Sequence, residues 1–146
     1  MIIGAIVEAI QDALDELGYD AHDAPPGQFT PPSAVVELPE TINYHVTAGK
    51  REHITVSVTV VVARTDAEDA TQRLYAALST EITPGVDTQP IQPALEAYDG
   101  PWRSLTVTGA NSIGSVPLSS TSQQSGLAAQ FRLEIATLPT NYEETS

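Results

Sequence analysis

The 146-residue chain contains no cysteine, which excludes a disulfide framework, a thiolate metal site and a cysteine nucleophile. Only 5% of its residues are aromatic, too few to favour a stacking platform for single-stranded nucleic acid. Basic residues are scarce as well: six Lys and Arg stand against nineteen Asp and Glu, a formal net charge of −13. Because affinity for phosphates depends on clustered Lys and Arg, this balance argues against a protein that wraps DNA or docks on anionic lipid.

Long hydrophobic segments are also missing. The longest apolar run, from Val58 to Ala63, is interrupted by Thr59 and is far too short to span a bilayer. The first residues lack a basic segment and acids begin at Glu8, so no signal peptide is predicted. With 41% apolar residues and a length typical of one domain, the chain predicts a single cytosolic globular domain over residues 1–146.

Residue periodicity predicts two main helices. Apolar residues at a spacing of three to four mark a helix over residues 2–17, with acids on its other face and Gly18 as the residue that ends it. A second helix over residues 66–79 begins at Thr65-Asp66-Ala67-Glu68, which matches a capping box. A short helical turn is expected within residues 90–98.

Alternation of apolar and polar residues predicts strands, most strongly over residues 54–62. Further strands are expected at residues 33–38 (with Ala34, Val36 and Leu38 on one face), 41–47, from Trp102 to Val107, and 128–138. The Pro-rich residues 19–32 are expected to form a connector, residues 109–127 a long Ser- and Gly-rich loop, and residues 139–146 a frayed tail. The predicted fold class is α+β, with a mostly antiparallel sheet and two main helices packed on one face.

Signals for catalysis and metal binding are weak. His22 lies in Asp20-Ala21-His22-Asp23, on a connector where nothing rigid would hold metal ligands. His45 and His53 are brought near each other by a hairpin, but pairing Val46 with His53 places His45 on the opposite face. No Gly-x-Ser-x-Gly elbow and no phosphate-binding glycine loop occurs. We therefore predict no catalytic residue, no cofactor and no metal site, and keep a small carboxylate-dependent hydrolase as an alternative.

Two features favour assembly instead. The hairpin tip Gly49-Lys50-Arg51 carries two of the six basic residues, which suits an acidic partner or a second copy of the chain. The outward face of the predicted sheet is nearly neutral, since Arg132 and Glu134 cancel. Its other residues are small or polar: Asn43, His45, Thr47, Thr55, Ser57, Thr59 and Gln130. A face with so few charges does little to keep copies of the chain apart.

The order and character of these segments resemble the tail terminator (tail completion) proteins of long-tailed, siphovirus-type phages, across residues 1–138. The resemblance rests on the order of six segments. These are an amphipathic helix ending in Leu17-Gly18, a Pro-rich connector, the strand Pro31-Pro32-Ser33-Ala34-Val35-Val36, a Tyr-containing strand, the Val-rich strand 54–62 ending in Ala63-Arg64, and the helix 66–79 with Leu74-Tyr75. The resemblance carries no catalytic motif.

The resemblance implies a non-enzymatic structural protein of the virion. Such proteins form a ring, expected to be a hexamer, that caps the tail tube at its head-proximal end and stops its polymerisation. The ring joins the tube to the head-side connector or stopper, and DNA passes through its lumen without specific binding. The resemblance implies assembly in the host cytoplasm, with the tube protein, the connector and other copies of the chain as partners and with no membrane contact.

Contacts with these partners are expected from the hairpin over residues 44–54 and from the loop over residues 109–126. The candidate interface residues are Tyr44, His45, Gly49, Lys50, Arg51, His53, Ser112, Ile113, Val116 and Leu118. Two further alternatives stay open: another head–tail connector or tube component, and a monomeric binding module.

Overall fold

The computed structural model of the chain describes residues 2–22, 31–44, 52–64, 70–117 and 125–138. Within these ranges the chain forms three helices and one six-stranded sheet. The elements are α1 (Ile3–Glu16), β1 (Asp20–His22), β2 (Ser33–Val36), β3 (Thr41–Asn43), β4 (His53–Arg64), α2 (Ala70–Leu78), α3 (Ile91–Ala97), β5 (Ser104–Pro117) and β6 (Ser125–Ala136). The sheet is mostly antiparallel, which confirms the predicted α+β class.

The strand order of the sheet is β1-β2-β4-β6-β5, and β1–β2 is a parallel pair. Because β6 pairs with β4 along its whole length, β2 and β3 lie one after the other on the opposite side of β4. β5 therefore forms one edge of the described sheet, and β1 and β3 lie at the other edge.

One face of the sheet carries the hydrophobic core. The aliphatic residues of β4 that were predicted to share a face (Ile54, Val56, Val58, Val60 and Val62) are all buried, as are Phe131, Leu133 and Ile135 of β6. All three helices contribute buried apolar residues to this cluster. The sheet and the helices thus form two layers, and the other sheet face has no helix of the described chain upon it.

Helix α1 matches its prediction to within one residue at each end. Its spacing buries Ile6, Ile10 and Leu14 on one face. Gly18 adopts φ +95°, a conformation that glycine reaches without steric cost, and the chain turns into β1. The carboxylate of Asp15 then accepts a hydrogen bond from the N–H of Ala21 at 3.3 Å. The acidic C-terminal end of α1 therefore contributes a contact to the first strand.

Residues 20–22 correct the prediction of a connector, because they form strand β1. The N–H of Asp20 donates to the carbonyl of Pro32 at 2.9 Å, and Ala21 lies opposite Ala34. A three-residue strand has no periodicity of its own, so only its pairing with β2 defines it.

Leu38 also corrects the prediction, since its side chain is 84% exposed rather than on the face of Val36. The ladder beside β4 is interrupted there. The N–H of Glu37 donates to the carbonyl of Ser57, and the N–H of Glu40 donates to the carbonyl of Thr55. The four residues 37–40 therefore cover a length of β4 that two residues would cover in a regular ladder. We call residues 37–40 the edge jog; its extra length turns Leu38 out of the sheet.

The third correction concerns residues 109–127. Strand β5 continues to Pro117 and β6 begins at Ser125, so the Ser- and Gly-rich segment is largely a strand rather than a loop. Pairing with β6 overrides the weak strand propensity of these residues. Residues 118–124, the predicted capping box at 65–68 and the predicted tail from 139 lie outside the described residues.

Candidate assembly interface

The outer half of β5 is the longest exposed sheet edge in the described chain. Residues 109–117 are mostly exposed, and no described strand pairs with their outer side; we call this segment the β5 edge. Closer to the start of β5, the N–H of Val107 donates to the carboxylate of Glu96 on α3 at 2.9 Å. The segment is also electrically neutral, because residues 104–131 contain no Asp, Glu, Lys or Arg. That signal is visible in the sequence alone and distinguishes the segment from the acidic remainder.

A bulge displays Ile113 on the β5 edge. Asn111 lies opposite Gln130 and Gly114 opposite Ala128, so two residues of β5 stand against one residue of β6. Ser112 takes φ +52° within this bulge, and the side chain of Ile113 is 52% exposed. Bulges of this kind bend an edge strand and re-aim its side chains. The sequence predicted both residues as contacts, and the structure places them on a strand edge.

Val116 differs from the other predicted contacts on β5. It is half-buried and packs against Val61 and Ala128, on the sheet face opposite the helices. Its side chain therefore fixes β5 to the sheet rather than standing free for a partner. Leu118 lies outside the described residues.

The hairpin between β3 and β4 has a different register from the one considered from sequence. His53 lies opposite Asn43 rather than Val46, and it also pairs with Ala136 of β6. Tyr44 follows β3 with 62% of its side chain exposed. His53 is exposed at the start of β4. The other predicted contacts of this hairpin, His45, Gly49, Lys50 and Arg51, lie outside the described residues.

The base of that hairpin is a buried polar clamp. Glu52 and Thr137 are both nearly inaccessible to solvent. The N–H of Glu52 donates to Thr137 Oγ1 at 3.0 Å, and Thr137 Oγ1 lies 2.9 Å from Glu52 Oε2. The N–H of Thr137 donates to the carbonyl of Glu52 at 3.0 Å. These bonds hold the start of β4 against the end of β6.

Hydrogen bonds organise the helix-free sheet face. The Ser57 hydroxyl donates to Glu40 Oε1 at 3.0 Å, and the Gln130 amide donates to Glu37 Oε2 at 2.6 Å. Arg132 lies 4.0 Å from Glu40, an exposed pair of small energetic value. The two carboxylates of the edge jog are thereby held against β4 and β6, so part of the face predicted to be neutral is lined by them.

An apolar groove lies at the opposite sheet edge from β5. It has a volume of about 430 Å³ and lies between the first half of α1 and the edge jog. Ile3, Val7, Val36, Leu38 and Pro39 line it, with Glu8 and Glu37 among its polar residues. We call it the α1 groove. Sequence alternation does not predict this groove, because it places Leu38 on the same face as the buried Val36.

Two tyrosines have a raised pKa. Burial raises the pKa of the Tyr19 phenol well above its usual value, and its hydroxyl lies 3.5 Å from the carbonyl of Gln89. Partial burial raises the pKa of Tyr98 too, and the negative charges of Glu16, Asp12 and Asp99 add to that shift. Imidazole Nε2 of His22 lies 3.1 Å from Asp20 Oδ2. No group of three His, Cys, Asp or Glu side chains in the described ranges could hold a metal ion.

The fold and its surfaces define an α+β protein with one helix-covered sheet face, a neutral sheet edge and an apolar groove at the other edge. No protein-family model matches the chain, and no curated protein matches it significantly. None of the helices in the described ranges is long and apolar enough to cross a membrane.

Proposed function

We propose that the chain is a phage tail terminator: a structural protein whose copies form a ring, expected to be a hexamer, on the head-proximal end of the tail tube. The proposal comes from the resemblance of the sequence to that family. The observation that supports it best is the uncharged β5 edge of an otherwise acidic molecule. A surface of this kind suits contact with other copies of the same chain.

Ring formation needs an interface made of two different surfaces, so that each copy uses one surface on each of its two neighbours. The sheet offers two such surfaces at its opposite edges. The β5 edge presents unpaired backbone and Ile113, and the other edge presents the α1 groove. A catalytic role would instead need a pocket that gathers shifted acids or bases.

The charge of the molecule suits the passage of DNA. A net charge of −13 per copy gives a ring whose surface repels phosphates, whereas a lumen lined by Lys and Arg would hold them. In the proposed function the ring therefore lets DNA pass without retaining it. Contact with the tube and with the head-side connector is made by the ring's two ends.

The test is electron microscopy of the purified protein mixed with tail tubes assembled from their tube protein. We expect a ring at one end of each tube and an arrest of tube elongation when the protein is added first. Binding along the whole tube, or incorporation into it, would assign the protein to the tube components. Tubes that elongate normally with bare ends would refute the proposal.

A further inference from the structure

We propose that Ile113 on the β5 edge of one copy binds in the α1 groove of a second copy, and that this contact joins neighbouring subunits. The inference rests on the proposed ring, and it specifies both halves of the subunit interface. One half is the exposed side chain of Ile113, and the other half is the α1 groove.

The inserted group is the side chain of Ile113. Half of it is exposed, in a bulge that separates it from the regular ladder of β5 and β6. Its strand neighbours Ser112, Gly114 and Ser115 are small, so Ile113 is the one bulky side chain between Asn111 and Val116. A partner can therefore approach this stretch of the edge closely and enclose Ile113.

The receiving surface is the α1 groove. Ile3 and Val7 form its helical wall, and Leu38 and Pro39 of the edge jog form the other. Leu38 is almost fully exposed in the isolated chain. Enclosing an isoleucine between these walls removes apolar surface from water on both partners, which is favourable.

Charge allows the β5 edge of a second copy to approach this groove. Glu8 borders the groove, so a segment that carries carboxylates would be repelled from it, whereas the carboxylate of Glu37 is held by Gln130 on the helix-free sheet face. Most of the chain's surface carries such carboxylates, but residues 104–131 carry none. The β5 edge is therefore an exposed strand edge of this acidic molecule that can approach the groove without like-charge repulsion.

The topology makes the contact head-to-tail. The β5 edge and the α1 groove lie at opposite edges of the same sheet, with β6, β4 and β2 between them. A chain whose Ile113 occupies one neighbour can thus receive the Ile113 of another. Contacts of this kind are heterologous and produce a ring when the rotation between copies closes.

Disulfide cross-linking tests this geometry directly, because the natural chain contains no cysteine. Ile113→Cys protein is mixed with Leu38→Cys protein under mild oxidation, over a concentration series. We expect a cross-linked heterodimer. The matched control replaces Leu38→Cys with Ile82→Cys, since Ile82 is 67% exposed but does not line the groove. Equal cross-linking in both mixtures, or none in either, would overturn the proposed contact.

A pair of matched aspartate substitutions tests the energetic role of Ile113. We expect Ile113→Asp to weaken self-association, measured by sedimentation, by roughly ten- to hundredfold, and Ile82→Asp to leave it unchanged. Both residues are exposed, so both variants should keep the wild-type melting temperature. Equal association of Ile113→Asp and wild type would also overturn the inference.

The outcomes separate this inference from the proposed function. Rings on tube ends without cross-linking between positions 113 and 38 would leave the terminator role in place and remove this interface. Cross-linked oligomers that never bind tubes would support the interface and refute the tail role. If a basic partner protein occupies the groove instead, the heterodimer will not form. That result would refute the proposal that a second copy of the chain is the occupant.

Discussion

The hydroxyl of Thr137 helps to hold the start of β4 against the end of β6. Its Oγ1 accepts the N–H of Glu52 and lies within hydrogen-bond distance of the Glu52 carboxylate, in a place that solvent does not reach. A buried donor left without a partner costs more free energy than an average hydrogen bond contributes. A single buried side chain of this kind can therefore contribute more to the free energy of unfolding than an average hydrogen bond.

Replacing Thr137 by Val removes that hydroxyl while keeping the side chain's shape. We expect the free energy of unfolding to fall by about 1–3 kcal/mol, because the N–H of Glu52 loses its acceptor. Urea titration followed by circular dichroism measures the change. The control is Thr106→Val on the exposed side of β5, for which we expect a change within about 0.5 kcal/mol. Equal losses in the two variants would contradict this role for the clamp.

Tyr19 predicts a pH dependence at the alkaline end. Burial raises the pKa of its phenol in the folded chain above the usual value of 10.0. Below that pH the phenol is neutral in both states and costs nothing. Above it the unfolded chain releases the proton while the folded chain retains it, so stability falls by up to about 1.4 kcal/mol per pH unit.

The measurement is the free energy of unfolding as a function of pH above 9, for wild type and for Tyr19→Phe. We expect a shallower alkaline decline in the variant, because its ring has no proton to lose. Tyr98→Phe serves as the matched control and should change the slope less, since Tyr98 is only half-buried. Superimposable slopes for wild type and Tyr19→Phe would show that Tyr19 ionises as readily in the folded chain.

At the scale of elements, β4 and β6 form the centre of the sheet, and each pairs with strands on both sides. Their core-facing residues are almost completely buried, and Leu133 lies opposite both Val56 of β4 and Val107 of β5. A side chain in this position lies between two neighbouring strands and belongs to the buried cluster to which the helices contribute. Its removal leaves a cavity that the neighbouring strands cannot close.

We therefore expect Leu133→Ala to lower the free energy of unfolding by about 2–5 kcal/mol, from lost burial plus the cavity. Chemical denaturation gives the value. Leu138→Ala is the matched control, because Leu138 follows β6 with half of its side chain exposed. We expect that variant to stay within about 0.5 kcal/mol of wild type. A similar loss at both positions would contradict the central place of β6.

Elements whose own residues carry a strong period were predictable from the sequence, and those defined by a partner were not. Helix α1 and strand β4 have apolar spacings that specify them locally, so their ends were placed within about one or two residues. β1 and the outer half of β5 consist of residues with little strand preference. They are strands because β2 and β6 supply their hydrogen bonds.

The candidate interface divides in the same way. Ser112 and Ile113 were predicted as contacts from sequence, and that stays a prediction; the structure places both on an exposed strand edge. The α1 groove was not predictable, since it arises from the edge jog. Alternation assigned Leu38 to the core, and only the interrupted ladder of residues 37–40 turns it to the surface. Irregularities of pairing are tertiary features that local periodicity does not encode.

For the molecule as a whole, the dominant property is its acidity. Copies that carry a charge of −13 repel one another, and the repulsion extends about 30 Å at 0.01 M salt but only about 10 Å at 0.1 M. Association through an uncharged edge and an apolar groove gains nothing from ion pairs. Added salt therefore removes the opposing force and leaves the attractive one in place.

We expect self-association to strengthen as sodium chloride is raised from 0.01 to 0.1 M, measured by sedimentation at fixed protein concentration. Ile113→Asp is the control, and in it salt should not restore wild-type affinity. Weakening by salt would instead indicate an interface built on ion pairs. The basic residues Lys50 and Arg51 would then be the first groups to substitute.

The edge jog has a consequence for how chains of this fold can differ in length. β2 and β3 are each registered against β4 by their own pairing, on either side of residues 37–40. An insertion within these residues shifts neither register, whereas an insertion within β4 would turn every following core residue to the other face. Divergence in length is thus tolerated beside the α1 groove, so related chains can change the shape of this groove while their sheet stays the same.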